Sequence, residues 1–236
     1  MGGMQAVILA GGLATRMRPL TKDTPKAMLE VAGRPFIAWQ LEQLARYGYS
    51  RVLLCLGYLG EQVRGFVRDG AHFDLEVEYA FDGPRLLGTG GALRRSVERL
   101  APLFLVTYGD SYLPFDYAGP LRDLEAQPDA LATMSVFENA GRWDASNTQV
   151  EGDHVVRYEK GSDDPALRHI DYGATALRRE ALMRLPPDTA VGLDSLQSDL
   201  AREGRLRSYE AHERFYEIGS EEGLRELELY LSRTHG

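Results

Sequence analysis

The residues best suited to chemistry lie near the start of the chain, where Leu9-Ala10-Gly11-Gly12-Leu13-Ala14-Thr15-Arg16 follows a short apolar run. Paired glycines let main-chain amides approach a phosphate closely, and Arg16 can neutralise it. Two glycines alone favour a plainer explanation, a tight turn from strand to helix. Arg16, Arg18 and Lys26 together reverse that preference and point to an anion-binding loop. The spacing is neither GxxxxGK[ST] nor GxGxxG, so neither a P-loop ATPase nor a simple dinucleotide fold is supported. In Pro25-Lys26 the proline restrains the backbone and the lysine supplies a point charge able to hold a triphosphate or a sugar phosphate. Alone, Lys26 would be a solvated surface residue. Further on, Gly109-Asp110 stands at the carboxyl end of the apolar run Leu103 to Tyr108, where open α/β sheets place their ligands. Asp110 is the leading ligand for Mg²⁺, which prefers a few carboxylates and substrate phosphates as hard oxygen donors. A lone aspartate there could also cap a turn.

Other chemistries lack support. His72, His154, His169 and His212 are dispersed and His235 lies in the tail, without zinc-ligand spacing. Ser111 has no GxSxG elbow or paired histidine, and the single cysteine, Cys55, sits in the apolar run Val52 to Leu56 as a buried thiol would.

These residues need a frame. Met4 to Ala10, Arg51 to Leu56, Leu75 to Ala80 and Leu103 to Tyr108 are short, apolar runs, as expected of strands covered on both faces. Between them, Pro35 to Tyr47 aligns Ile37, Leu41 and Leu44 on one helical face, with Pro35 in a first turn and Gly48 as a stop. Gly60 to Asp69 aligns Val63, Phe66 and Val67; Thr89 to Leu100 aligns Leu93, Val97 and Leu100. This alternation predicts an α/β fold with a mixed, mainly parallel sheet flanked by helices. Beyond Ala130 the rhythm changes. Thr148 to Glu151, a Gly152-Asp153 turn and His154 to Glu159 predict a hairpin, followed by a strand over Ile170 to Leu177, so the second half is partly antiparallel. A last helix, Glu221 to Arg233, has Ser220 as its N-cap. With no linker or repeat in view, a single domain over 1–236 is expected, its two halves running over about 1–130 and about 131–236.

Ala10 to Arg16 with Pro25-Lys26 resembles the signature of the sugar-1-phosphate nucleotidyltransferase family, a GGxGTR loop with a downstream PK, with Ala14 in place of the commoner glycine. The resemblance covers nearly the whole chain and implies a Rossmann-like domain with a small antiparallel sugar-binding extension. It implies Mg²⁺ as cofactor and an NTP and a sugar-1-phosphate as substrates, the sugar phosphate attacking the α-phosphorus and pyrophosphate leaving. Leu9, Ala10, Gly11, Gly12, Thr15, Arg16 and Lys26 would bind the nucleotide, together with Gly88, Thr89 and Gly90 of a segment similar to the family's LGTAG. Thr89 could equally cap its helix. Arg16, Lys26 and Asp110 would be the catalytic residues. Glu217 in Phe215-Tyr216-Glu217-Ile218-Gly219-Ser220 would join Asp110 on the metal, though relatives usually carry aspartate there. Tyr158-Glu159-Lys160 resembles the EKP motif, with Lys160 for phosphate, Glu159 for sugar hydroxyls and Gly161 where proline is common. Tyr172-Gly173 resembles the NAG sugar-binding turn, with tyrosine in place of asparagine. Asn147 is a further sugar candidate or a turn stabiliser. Gly109 to Leu113 together with Phe215 to Ser220 looks most similar to the mannose- or heptose-1-phosphate guanylyltransferase branch. The alternatives are a uridylyl- or cytidylyltransferase for glucose-1-phosphate or an amino-sugar phosphate, and a non-catalytic nucleotide-sugar sensor.

The bulk properties agree. An apolar fraction of 44% and a charged fraction of 26% describe an ordinary globular chain, and a net charge of -8 repels polyanions, arguing against nucleic acid as partner. Ala6 to Ala10 has no basic flank and runs into glycines, so neither a signal peptide nor a membrane span is expected, and the location expected is cytoplasmic. No room is left after the last helix for an appended β-helix, while a homodimer stays open.

Overall fold

The computed structural model describes residues 3–12, 17, 21–83, 85–139 and 141–234. The strands, in chain order, are β1 (Met4–Ala10), β2 (Glu30–Val31), β3 (Arg34–Pro35), β4 (Tyr49–Leu56), β5 (Glu76–Phe81), β6 (Leu103–Tyr108) and β7 (Ser111–Tyr112). They continue as β8 (Ala132–Glu138), β9 (Thr148–Glu151), β10 (His154–Tyr158), β11 (His169–Arg178), β12 (Leu206–Ala211) and β13 (Tyr216–Glu217). The α-helices are α1 (Phe36–Arg46), α2 (Gly60–Val67), α3 (Gly88–Arg95), α4 (Gly119–Glu125), α5 (Leu193–Arg202) and α6 (Glu221–Thr234). No helix among the described residues is long and apolar enough to cross a membrane.

The chain forms two compact units. The first takes Met1–Leu86, Thr107–Pro114 and Phe215–Gly236; the second takes Leu87–Val106 and Phe115–Arg214. In the first, β4 pairs in parallel with β1 and with β5, the arrangement that the alternating apolar and amphipathic runs predict. Ala6, Val7 and Ile8 in β1 and Leu54 and Leu56 in β4 are fully buried, as befits strands covered on both faces. Helix α1 buries Phe36, Ile37, Leu41 and Leu44; Pro35 stands just before it in extended conformation, one place earlier than expected. Short antiparallel pairs, β2 with β3 and β7 with β13, complete this unit. A core cluster of Val31, Phe36, Trp39, Tyr112, Ile218, Leu227 and Leu231 joins them to α1 and α6. Ser220 caps α6 as expected, its Oγ accepting from the Gly223 amide at 3.0 Å.

In the second unit β8 pairs antiparallel with β11 and parallel with β12, and the β9–β10 hairpin adds on antiparallel. The helix expected over Thr89 to Leu100 is interrupted. Helix α3 ends at Arg95, Ser96 closes it, and Val97–Arg99 form a separate 3-10 turn, with Leu93, Val97 and Leu100 buried all the same.

Candidate active site

The glycine pair of the first unit separates into two roles. A β-carbon on Gly11 would lie 2.8 Å from Asp82 Oδ2, and one on Gly57 would lie 2.3 Å from Gly11 O. Gly11 and Gly57 thus permit the close approach of the segments leaving β1, β4 and β5, the carboxyl ends where parallel sheets hold ligands. Gly12 is exposed, with no atom of the described residues within 4 Å of such a β-carbon. Thr15 and Arg16, with Leu13, Ala14 and Arg18, lie outside the described residues.

Lys26 opens a 3-10 turn, Lys26–Met28, behind an extended Pro25 whose carbonyl accepts from Met28 N at 2.8 Å. Buried Ala27 seats the turn. The Lys26 ammonium meets Asp110 Oδ2 at 2.8 Å, with the two side chains 21% and 41% exposed. At that exposure an ion pair is worth about 1 kcal/mol or less, so it can be exchanged for a phosphate oxygen or a metal at little cost. Gly219 lies alongside: a β-carbon there would stand 3.5 Å from Lys26 Nζ.

Asp110 is mounted on close-packed main chain. Gly109 N donates to Leu9 O at 2.9 Å, and a β-carbon on Gly109 would lie 2.5 Å from Ala10 Cβ. Ile218 N donates to Asp110 O at 3.0 Å, and Ser111 Oγ donates to Asp110 Oδ1 at 3.4 Å. Glu217 faces Ser111 across the β7–β13 ladder, while Tyr216 faces Tyr112. Both tyrosines stack on Tyr230, at 4.7 and 6.0 Å between ring centroids, so that side of the ladder is apolar. Directly opposed residues share a face, which puts exposed Glu217 on the Ser111 side, that of the hydroxyl bonded to Asp110. Among the described residues no group of three or more His, Cys, Asp or Glu side chains could hold a metal by itself. Two hard carboxylates suit Mg²⁺, which retains waters and takes oxygens from substrate phosphates, and would not suit a softer metal.

In the second unit the glycines of Gly88-Thr89-Gly90-Gly91 have a packing reason. β-Carbons at 88, 90 and 91 would meet the carbonyls of Val191, Gly192 and Thr189 at 2.7, 2.8 and 2.5 Å, and Gly88 has φ +69°. Gly90 and Gly91 both donate their amides to Val191 O. Thr89 does not cap its own helix. Its Oγ1 accepts from Leu193 N at 2.8 Å, tying the start of α3 to the start of α5.

Among the motifs expected to face the sugar, Asn147 is a junction. Its amide donates to His169 O at 2.9 Å, its carbonyl accepts from Glu159 N at 2.8 Å, and its Oδ1 accepts from Asp171 N at 2.8 Å. Asn147, Glu159 and the part of β11 carrying Gly173 are therefore brought together, with Lys160 Nζ lying 5.8 Å over the Tyr158 ring. The Glu159 carboxylate is paired with Arg157, 3.0 Å from its Nε. Tyr172, the tyrosine that stands in place of asparagine in the resemblance, faces the core. Tyr172 is 1% exposed and packs against Phe115 and Phe137. Residues 171–173 lie within β11, at its register shift against β8, and the short polar side chain there is Asp171, which accepts from Gly173 N at 3.0 Å and from Tyr158 Oη at 3.0 Å. Burial pushes the Asp171 carboxyl above its ordinary range, opposed by the Gly173 and Tyr158 hydrogen bonds and by Lys160. Asp82 is the other residue that motif reasoning missed; it is buried, directly follows β5 and stands against Gly11. The Asp82-Gly83 pair ending an apolar run was its one sequence signal.

The chain is 33% identical over 138 residues, 58% of its length, to N-acetylmuramate alpha-1-phosphate uridylyltransferase of Neisseria meningitidis, of which the match spans 60%. It is 29% identical over 157 residues, 66% of its length, to D-glycero-alpha-D-manno-heptose 1-phosphate guanylyltransferase of Campylobacter jejuni, of which the match spans 68%. The crystal structure of HddC from Yersinia pseudotuberculosis shares the fold, with a TM-score of 0.78 at 24% identity over 97% of this chain and 99% of that one. The family model described as nucleotidyl transferase matches residues 5–143, the stretch that supplies Leu9 to Gly12, Lys26, Gly88 to Gly90 and Asp110, and the chain belongs to that family.

Proposed function

We propose that this protein transfers a nucleotidyl group from an NTP to a sugar-1-phosphate, releasing pyrophosphate. The observation that carries the proposal is the Lys26–Asp110 pair at 2.8 Å, in the unit where the exposed Gly12 follows β1. The attacking phosphate is already ionised and needs no strong base, so the protein's work is positioning and charge stabilisation. Lys26 exchanges Asp110 for a phosphate oxygen of the NTP and neutralises it; Arg16 adds a second charge. Asp110 and Glu217 would hold Mg²⁺, which, when bound, offsets charge on the leaving pyrophosphate. In the second unit Lys160 orients the sugar phosphate, and Glu159, Asn147 and Gly173 receive the sugar. GTP and a mannose- or heptose-type phosphate are the favoured substrates, supported by the likeness of Gly109 to Leu113 and Phe215 to Ser220 to that branch and by the heptose-1-phosphate relative. A uridylyltransferase is the second reading, favoured by the N-acetylmuramate relative.

Pyrophosphate release across GTP, UTP, CTP, dTTP and ATP, crossed with a panel of sugar-1-phosphates, is the test. One productive pair is expected, and no product from any pair would refute the proposal. Asp110→Asn should abolish turnover while leaving the circular dichroism spectrum unchanged; full activity in that variant would remove Asp110 from the site.

A further inference from the structure

Gln40 lies on the inward face of α1 and is 2% exposed. Its Nε2 donates to two main-chain carbonyls, Tyr108 O at 2.7 Å and Ser111 O at 2.9 Å. Those carbonyls bracket Gly109-Asp110. The pair of acceptors fixes which way the carboxamide faces, since the flipped form would set Oε1 against two carbonyl oxygens. Oε1 itself is buried with no hydrogen-bond partner among the described residues. A bare buried acceptor is a penalty that leucine or methionine of similar volume would avoid, so the amide's contribution at this position is its donors.

The other bonds noted to the main chain of this segment, Gly109 N to Leu9 O and Ile218 N to Asp110 O, come from main-chain atoms, while Lys26 Nζ and Ser111 Oγ meet the Asp110 carboxylate itself. Gln40 is the side chain that grips the segment from α1. We infer that Gln40 is a positioning residue for Asp110, with Asp110 taken, as proposed above, for the metal ligand. By holding the carbonyls on either side, Gln40 fixes where the Asp110 carboxylate stands relative to Lys26 and to a metal. It touches neither metal nor substrate.

The neighbouring Gln43 supplies a matched comparison. It is 9% exposed on the same helix, and its Nε2 donates to Tyr112 Oη at 2.6 Å, a side chain rather than the main chain around Asp110. The probe is Mn²⁺ with inorganic pyrophosphate, which needs no knowledge of the base, and free Mn²⁺ is counted by electron paramagnetic resonance. Gln40→Leu should weaken Mn²⁺ binding about tenfold, the usual scale for losing a group that orients a ligand. Gln43→Leu should leave it within about twofold, although both variants lower the thermal midpoint. In turnover, Gln40→Leu should raise the Mg²⁺ midpoint without raising KM for the sugar phosphate. Gln40→Asn keeps the donors on a stem one methylene shorter; it should also weaken Mn²⁺ binding, and it decides the matter if Gln40→Leu fails to fold. Wild-type Mn²⁺ affinity in the folded Gln40 variant overturns the inference. Wild-type affinity in Asp110→Asn overturns the metal assignment instead, so the two failures are read from different proteins.

Discussion

Placing alanine at Gly109 should cost both stability and turnover. The new β-carbon would stand 2.5 Å from Ala10 Cβ, 3.0 Å from Ala10 Cα and 3.3 Å from Leu9 O. Carbon atoms rest about 3.5–4.0 Å apart, so the shortest contact falls about 1 Å inside that limit. Neither methyl can turn away, because each is the first atom of its side chain. Relief requires the end of β1 and the Gly109-Asp110 step to separate, which stretches the bond from Gly109 N to Leu9 O at 2.9 Å. Overpacking costs about 1–3 kcal/mol, and a clash between backbone-fixed atoms belongs in the upper half of that range. Asp110 is the next residue, and a displacement of about 1 Å at a reacting group is the scale that loses about 100-fold in rate. Urea unfolding followed by circular dichroism measures the first effect, and pyrophosphate release the second. Gly65→Ala is the control. Gly65 is exposed on α2 with no atom within 4 Å of its β-carbon, so that change should stabilise by ~1 kcal/mol through helix propensity. Ala10→Gly in the Gly109→Ala background removes the opposing methyl and should recover part of both losses. Unfolding of Gly109→Ala within about 0.5 kcal/mol of wild type, the scatter of a neutral surface change, would refute the reasoning.

Arg207 is 10% exposed and donates to both carboxylate oxygens of Asp123, at 2.9 and 3.0 Å, and to Asp153 at 2.8 Å. Arg207→Met should destabilise by about 3 kcal/mol in urea titration, because it leaves a largely enclosed Asp123 unpaired, and Asp123→Leu added to it should restore much of the loss. For Asp171, whose carboxyl is raised by burial, the folded state holds a proton that the unfolded state has released. Stability therefore falls as pH rises from about 3.9 through the raised folded value, and Asp171→Asn should flatten that fall, since asparagine can still accept from Gly173 N. Urea midpoints of the two proteins between pH 4 and pH 8.5 check the sign; parallel curves would refute it.

Much of this fold is legible in the sequence because its strongest signals are local. The runs Met4 to Ala10 and Leu103 to Tyr108 are strands to the residue, and the Thr148 to Glu151 hairpin turns at Gly152. What escaped was set by tertiary contact. Thr89 looks like a cap because it begins a helix, but the amide it satisfies belongs to Leu193, far along the chain. The interruption of α3 at Ser96 has no glycine or proline to announce it. Strand alternation, which a motif comparison does not weigh, turns Tyr172 into the core and leaves Asp171 to bond the Gly173 amide. Gly11, which the sequence offers for a phosphate, has a packing reason besides: its place is demanded by Gly57 and Asp82, contacts between strands that no local spacing reveals. Lys26 and Asp110 were each weak signals, and their ion pair across 84 positions exists only in the folded chain.

The cluster that backs the first unit joins Val31, Phe36 and Trp39 to Ile218, Leu227 and Leu231. A ribosome delivers the first three early and the last three only after all of Leu87–Val106 and Phe115–Arg214 has been made. The second unit can therefore close on itself while the first still waits for its final layer, leaving the aromatic face of α1 bare in the meantime. The amide of Ile218, which lands on the carbonyl of Asp110, arrives with that same late segment. Completion of the first unit thus waits for the synthesis of Phe215–Gly236, after the second unit is already whole.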